Sequence, residues 1–209
     1  MSVTLDFLSG YNIAMNKKAV LFSFVVSLLI SSFAWAGDIE AAFESVKNSG
    51  ANFEPDGAVC EQLERVRLQA LYPESQYIVT GGVEYSLGGD TVGELDEIVL
   101  DRNTNKVILL EEVKCWKDLD NALVKATGQR DRFLWNLAKS PRSVIFKSYD
   151  GRTYSVDQFQ GEIPFKFVSQ AGGLKKGFDV ELDLNLREMG QLRMMVLKCQ
   201  QNGQCAKPE

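Results

Sequence analysis

The chain has 209 residues, 45% hydrophobic and 24% charged, a globular composition with enough apolar material for a sizeable core and a length that suits one domain with an appendage. It contains no histidine, which excludes Ser-His-Asp hydrolases, Cys-His proteases, histidine-ligated zinc enzymes and nucleases that rely on a histidine base. The formal net charge of −5 is unevenly spread, with 5 basic and 16 acidic groups over residues 37–112 against 16 and 11 over residues 113–209. The acidic half suits divalent cations and the basic half suits phosphates, although charge alone reads better as two solvated surfaces that cancel.

Met15-Asn16-Lys17-Lys18 is a short basic segment, followed by the apolar run Ala19–Phe33 and by Ala34-Trp35-Ala36, small residues where a signal peptidase reads. Residues 1–36 are therefore read as a signal peptide cleaved near Ala36/Gly37, with Met15 as the start. The apolar run is shorter than the ~20 residues a bilayer span needs, so no membrane anchor is expected after cleavage and the mature chain is placed in the periplasm or outside the cell. All four cysteines, Cys60, Cys115, Cys199 and Cys205, fall after the cleavage point, and an even number in an oxidising compartment predicts two disulfides. Three pairings are open. Cys199 and Cys205 flank a Gln/Asn/Gly segment that suits a small loop, and without a CxxC or a histidine a zinc site is disfavoured.

Ile39, Phe43 and Val46 recur at helical spacing, so residues 37–57 form an N-terminal helix and linker. Val59, Leu63, Val66 and Ala70 predict an amphipathic helix from Ala58 to about Tyr72, stopped by Pro73. Three strands follow, over Gln76–Leu87 around Gly81-Gly82, Glu94–Leu100 and Lys106–Cys115, with residues 101–105 as a hairpin loop. The continuous run Val107–Leu110 predicts a central strand covered on both faces. Asp118 or Asp120 caps a helix reaching about Lys139, with Leu123, Ala126, Phe133 and Leu134 among its apolar positions and Pro141 at its end. Trp116 and Trp135 are assigned to core or helix–sheet packing. Ser143–Ser148 reads as a fourth strand, further β pieces are expected at 153–159, 164–169 and 178–186, and residues 187–198 are left as helix or strand. The main domain is thus 58–209, with 149–209 as a β-rich C-terminal extension.

The chemistry concentrates in Gly93-Glu94-Leu95-Asp96 and Glu111-Glu112-Val113-Lys114. Residues two apart on a strand share a face, so Glu112 and Lys114 project together. A hairpin folded about Asn103 places position 96 opposite 110 and 94 opposite 112, which brings Asp96 to the same face. Two carboxylates with the Val113 carbonyl are hard oxygen ligands suited to Mg²⁺ or Mn²⁺, and a lysine beside them can act on an attacking water.

A carboxylate on one strand, a hairpin, and an apolar strand ending in Glu-x-Lys together resemble the core of the PD-(D/E)xK nuclease superfamily, the restriction-endonuclease-like fold. The resemblance covers residues 58–148 and implies an α/β fold with a mixed sheet flanked by helices, in the order helix, three-stranded meander, helix, strand. It further implies a Mg²⁺-dependent phosphodiester hydrolase acting on nucleic acid, DNA by preference and as an endonuclease, which the signal peptide would export. Asp96, Glu112 and the Val113 carbonyl would bind metal and Lys114 would act on the water. Gly57-Ala58-Val59-Cys60-Glu61 is similar to the first-helix context of resolvase members and nominates Glu61, with Glu64 as the alternative. Gln129 to Phe133 resembles the Q-x-x-x-Y motif with phenylalanine for tyrosine, and Leu95 stands where the family name has proline. Lys117, Arg130 and Arg132 are the candidate phosphate contacts. The rival readings are an inactive nucleic-acid- or protein-binding envelope protein on the same fold, and an unrelated disulfide-bonded envelope protein.

Overall fold

The computed structural model describes residues 38–139 and 143–208, so the signal-peptide assignment and the helix-ending role of Pro141 lie outside the described residues. Helix α1 (Ile39–Val46) starts at Asp38, whose carboxylate accepts from the Ala41 amide at 2.9 Å. Helix α2 (Ala58–Leu71) leads into the antiparallel meander β1 (Tyr77–Leu87), β2 (Asp90–Asp101) and β3 (Lys106–Val113). Helix α3 (Leu119–Lys139) follows, capped by Asp118 rather than Asp120, with the Asn121 amide donating to Asp118 Oδ1 at 3.1 Å. Strands β4 (Val144–Lys147), β5 (Thr153–Tyr154), β6 (Phe165–Ser169) and β7 (Val180–Glu181) precede helix α4 (Leu186–Gln201). The seven strands form one mixed sheet in the order β5-β4-β1-β2-β3-β6-β7, parallel only at β3–β6 and β6–β7.

Both faces of the sheet are covered, as the run Val107–Leu110 implies. Ile98, Leu100 and Leu110 pack with Phe133 of α3 on one face, while Val99 and Leu109 meet Leu68 of α2 on the other. A third cluster joins α1, α2 and α4 through Val46, Val59, Leu192 and Val196 to Val113 and Val168 at the ends of β3 and β6. The fold is thus α/β, a mixed sheet flanked by helices.

Three local expectations change. The hairpin register is not 96 opposite 110: Ile98 faces Leu110 and Glu97 faces Glu111. Asp101 ties the loop by accepting from the Asn103 and Thr104 amides, and Ile108 is then an extra residue, since Leu100 pairs with Val107 but Val99 with Leu109. The turn and the bulge each shift the pairing by one, two in all from the predicted register, so the faces survive and Glu112 becomes the next cross-strand neighbour of Asp96. In the C-terminal part, strand 153–159 shrinks to β5 followed by a 3-10 turn (Val156–Phe159) that stacks Phe159 on Phe146 at 4.0 Å. The strand at 178–186 shrinks to β7, and residues 187–198 belong to a helix because Asn185 and Glu188 form a capping box. Replacing Asn185 with alanine should cost about 1 kcal/mol in urea unfolding, since it orphans the Arg187 and Glu188 amides.

Trp116 and Trp135 are not core residues; they are 43% and 59% exposed. Trp116 sits in the irregular stretch after β3, and Trp135 shares the outer side of α3 with Lys139, whose ammonium lies 5.0 Å from the ring centre. Leu134 is exposed as well, because the inward stripe of α3 is Ala122, Ala126, Phe133 and Asn136.

Candidate functional site

The ladder between β2 and β3 stops at Glu97–Glu111, and side chains continue it. Asp96 Oδ2 accepts the Val113 amide at 2.8 Å and the Lys114 ammonium at 2.9 Å. Lys114 Nζ also contacts Glu112 Oε1 and donates to the Val113 carbonyl at 3.2 Å. Asp96, Glu112, Val113 and Lys114 therefore converge as expected, around one ammonium group. On its other edge β3 is held by β6, with the Lys114 amide donating to Val168 O at 2.9 Å, so the Glu112-Val113-Lys114 backbone is fixed from both sides.

Glu112 is fully buried; its Oε1 meets the Lys114 ammonium in an ion pair, and its Oε2 has no hydrogen-bond partner. Burial raises its pKa, Asp96 adds to the rise, and Lys114 opposes it. Burial works against the Lys114 ammonium, but Asp96 and Glu112 outweigh it and hold the lysine above its ordinary pKa. Lys114 is thus a cation at neutral pH in this arrangement.

On the other side of Asp96 opens a cleft of about 640 Å³ lined by Glu61, Arg65, Glu94, Asp96 and Tyr149 among others. Glu61 reaches the cleft from the first turn of α2, and burial, then Asp96 and Glu94, push its pKa up to about 7. Glu64, the alternative, does not belong here: it is fully buried and bound by Arg67 at 2.5–2.9 Å in a network with Glu111. Behind the cleft Arg65 grips buried Glu97 at 2.8 and 3.2 Å.

Tyr149 and Glu94 are the residues that sequence reading did not assign to the site. The Tyr149 hydroxyl donates to Glu94 Oε1 at 2.8 Å, and its ring lies over Gly82, where a Cβ would fall 2.0 Å from ring carbon Cε2. Gly82 also has φ +61°, a backbone state that a side chain strains. The Gly81-Gly82 pair was the available signal, since two glycines inside a strand mark a close approach. At Gly81 a Cβ would meet Arg65 Nη2 at 2.1 Å and the Asp96 carbonyl at 2.3 Å.

The other candidates are more scattered. Gln129 on α3 has its Oε1 buried without a hydrogen-bond partner. Arg130 is paired with its neighbour Asp131 at 2.8 Å and lies over the Phe167 ring. Arg132 opposes the rise that burial gives the Tyr85 pKa, and Lys117 is exposed beside Trp116 on a second cleft. The cysteines pair as Cys60–Cys115 and Cys199–Cys205, two bridges that fit an extracellular or periplasmic protein. Among the described residues no helix is long and apolar enough to cross a membrane.

Among the described residues no three Asp, Glu or Cys side chains converge tightly enough to hold a metal by themselves. Two carboxylates and a carbonyl do share the Lys114 ammonium, and Oε2 of buried Glu112 lacks the donor that burial normally demands. That donor set fits a hard divalent cation that keeps part of its water shell. Comparison with family models, with curated proteins and with solved structures gives no match.

Proposed function

We propose that this chain is an exported, metal-dependent nuclease of the PD-(D/E)xK type, hydrolysing phosphodiester bonds in nucleic acid, with DNA as the preferred substrate. The observation that carries the reading is the seating of Lys114 Nζ between Asp96 and Glu112, with Asp96 itself lining an open cleft. The element order α2, β1–β3, α3, β4 supports it, being the helix, meander, helix, strand order of the resemblance.

Asp96, Glu112 and the Val113 carbonyl would hold Mg²⁺ or Mn²⁺, which when bound polarises a phosphoryl oxygen and acidifies water. The chain's own groups do the rest. The Val113 amide fixes the Asp96 carboxylate through Oδ2. The Lys114 ammonium orients the attacking water and offsets charge gathering on the phosphate oxygens. Glu61, half protonated near neutral pH, is suited to take the water's proton or return one to the leaving oxygen. Gln129 offers a buried acceptor toward substrate or Lys114, and exposed Lys117 is the phosphate contact least engaged elsewhere.

The test is Mn²⁺ titration followed by electron paramagnetic resonance, on the chain lacking residues 1–36 and on Asp96→Asn and Glu112→Gln. Binding weakened by about tenfold or more in each variant is expected. Wild-type protein that leaves Mn²⁺ free at millimolar concentration contradicts the reading.

A further inference from the structure

We propose that the Cys60–Cys115 disulfide is a positioning device for the site: it holds Glu61 against Lys114 and Asp96, so that the bridged chain is the active form and the dithiol form is not. The activity clause rests on the nuclease reading; the positioning clause does not.

Cys60 immediately precedes Glu61, and Cys115 immediately follows Lys114. The bridge brings their Cα atoms to 6.3 Å and spans 55 residues, so it ties the helix that presents one candidate group to the strand that presents the other. Cys199–Cys205, separated by 6 residues, closes only a local loop at the end of α4.

Both anchor points lie at ends of elements, Cys60 in the first turn of α2 and Cys115 just past the end of β3. Helix α2 begins at Gly57, in a left-handed conformation with no side-chain cap. Strand β3 ends at Val113, and after the Lys114 amide bonds Val168 O the chain is irregular until Leu119. The ion pairs of α2 with the sheet lie further along the helix, Arg65 to Glu97 and Arg67 to Glu111. They fix the body of α2, while its first turn is held by the bridge together with Val59, which packs in the cluster of Val113 and Leu192.

The bridge is also reachable. Cys60 is buried, but Cys115 is half-buried, and both line a cleft of about 520 Å³ with Trp116, Lys117 and Met189. Closing it from two thiols forms one S–S bond, releases two protons and passes two electrons to a disulfide-bearing oxidant, which leaves as two thiols. A chain folded in a reducing compartment is therefore held back until it reaches an oxidising one.

The experiment uses the chain lacking residues 1–36 in a Cys199→Ser/Cys205→Ser background, so that one bridge titrates. It is compared bridged, reduced with dithiothreitol, reoxidised with oxidised glutathione, and as Cys60→Ser/Cys115→Ser. Amide hydrogen exchange and steady-state cleavage of linear DNA with Mg²⁺ are read on each. The expected result is exchange about tenfold faster at Glu61, Val113 and Lys114 on reduction, with Val99 and Leu109 unchanged. With it kcat falls about 100-fold at little-changed KM, and glutathione restores both readouts. Exchange that rises uniformly through the sheet makes the bridge a plain stabiliser and overturns the proposal, as does a reduced chain that exchanges or cleaves like the bridged one. If the bridged chain cleaves nothing the nuclease reading fails, and the exchange pattern alone decides the positioning clause.

Discussion

Replacing Lys114 with alanine is expected to lower single-turnover cleavage about 1,000-fold while the chain stays folded and binds Mn²⁺ at least as well as wild type. The expectation follows from what the ammonium touches. It is the one cation bonded to Asp96 and Glu112 among the described residues, and its partners are the metal ligands of the proposed reaction. Removing it takes away a competitor for those oxygens, so metal affinity is kept or improved. It also removes the group that orients water and balances charge on the phosphate, so the rate collapses. Loss of both cleavage and Mn²⁺ binding would make Lys114 merely structural. Lys114→Arg should not restore the rate, because a planar guanidinium cannot replace a compact ammonium among groups spaced at 2.9 and 3.2 Å.

The largest effect on stability is expected at the ion network behind the cleft. Glu97 has no exposed surface, and its only side-chain hydrogen bonds among the described residues come from Arg65. Arg65→Met leaves that carboxylate buried without a partner and should cost about 3 kcal/mol at pH 8, measured by urea unfolding. The cost should shrink at pH 5, and adding Glu97→Gln to the variant should recover much of it. The pH dependence follows from the direction of the shifts. Burial pushes Glu97 up to about 8 against the relief given by Arg65, while burial and neighbouring Glu64 raise Glu111 despite Arg67 and Lys166. An unfolded glutamate loses its proton near 4.5, so between that value and about 8 the folded chain holds protons that the unfolded chain has released. The stability these glutamates contribute is therefore fully present below about pH 4.5 and is lost as pH rises through about 8. Calorimetry should find Tm at pH 9 lower than at pH 6 by several degrees, on the order of 6 °C. A Tm that rises over that interval would mean that these glutamates are ionised in the fold.

The central hairpin was legible in the sequence because strand alternation is local. Glu112 and Lys114 share a face for that reason, and the apolar run before them announced a strand covered twice. Register was not legible, since it turns on Ile108 being extruded, and nothing in Val107-Ile108-Leu109 marks which residue bulges. Glu61 and Glu64 differ by less than one helical turn, and only the packing of α2 sends one to the cleft and the other to Arg67. Tyr149 arrives from a turn that follows β4, 55 positions from its partner Glu94, where no spacing rule operates. The short strands β5 and β7 carry little periodicity, and the polar groups that end them, such as Asp179 accepting the Phe167 amide at 2.8 Å, act across the fold.

The most direct measurement is a cleavage assay of the chain lacking residues 1–36 on supercoiled plasmid, single-stranded DNA and RNA, with Mg²⁺, Mn²⁺ or EDTA, beside Asp96→Asn. The account predicts nicking of DNA with either cation, none with EDTA, and a loss of about 100-fold or more in the variant. Wild-type chain that stays inert on all three substrates with both cations, or that cleaves equally well in EDTA or as Asp96→Asn, would contradict it.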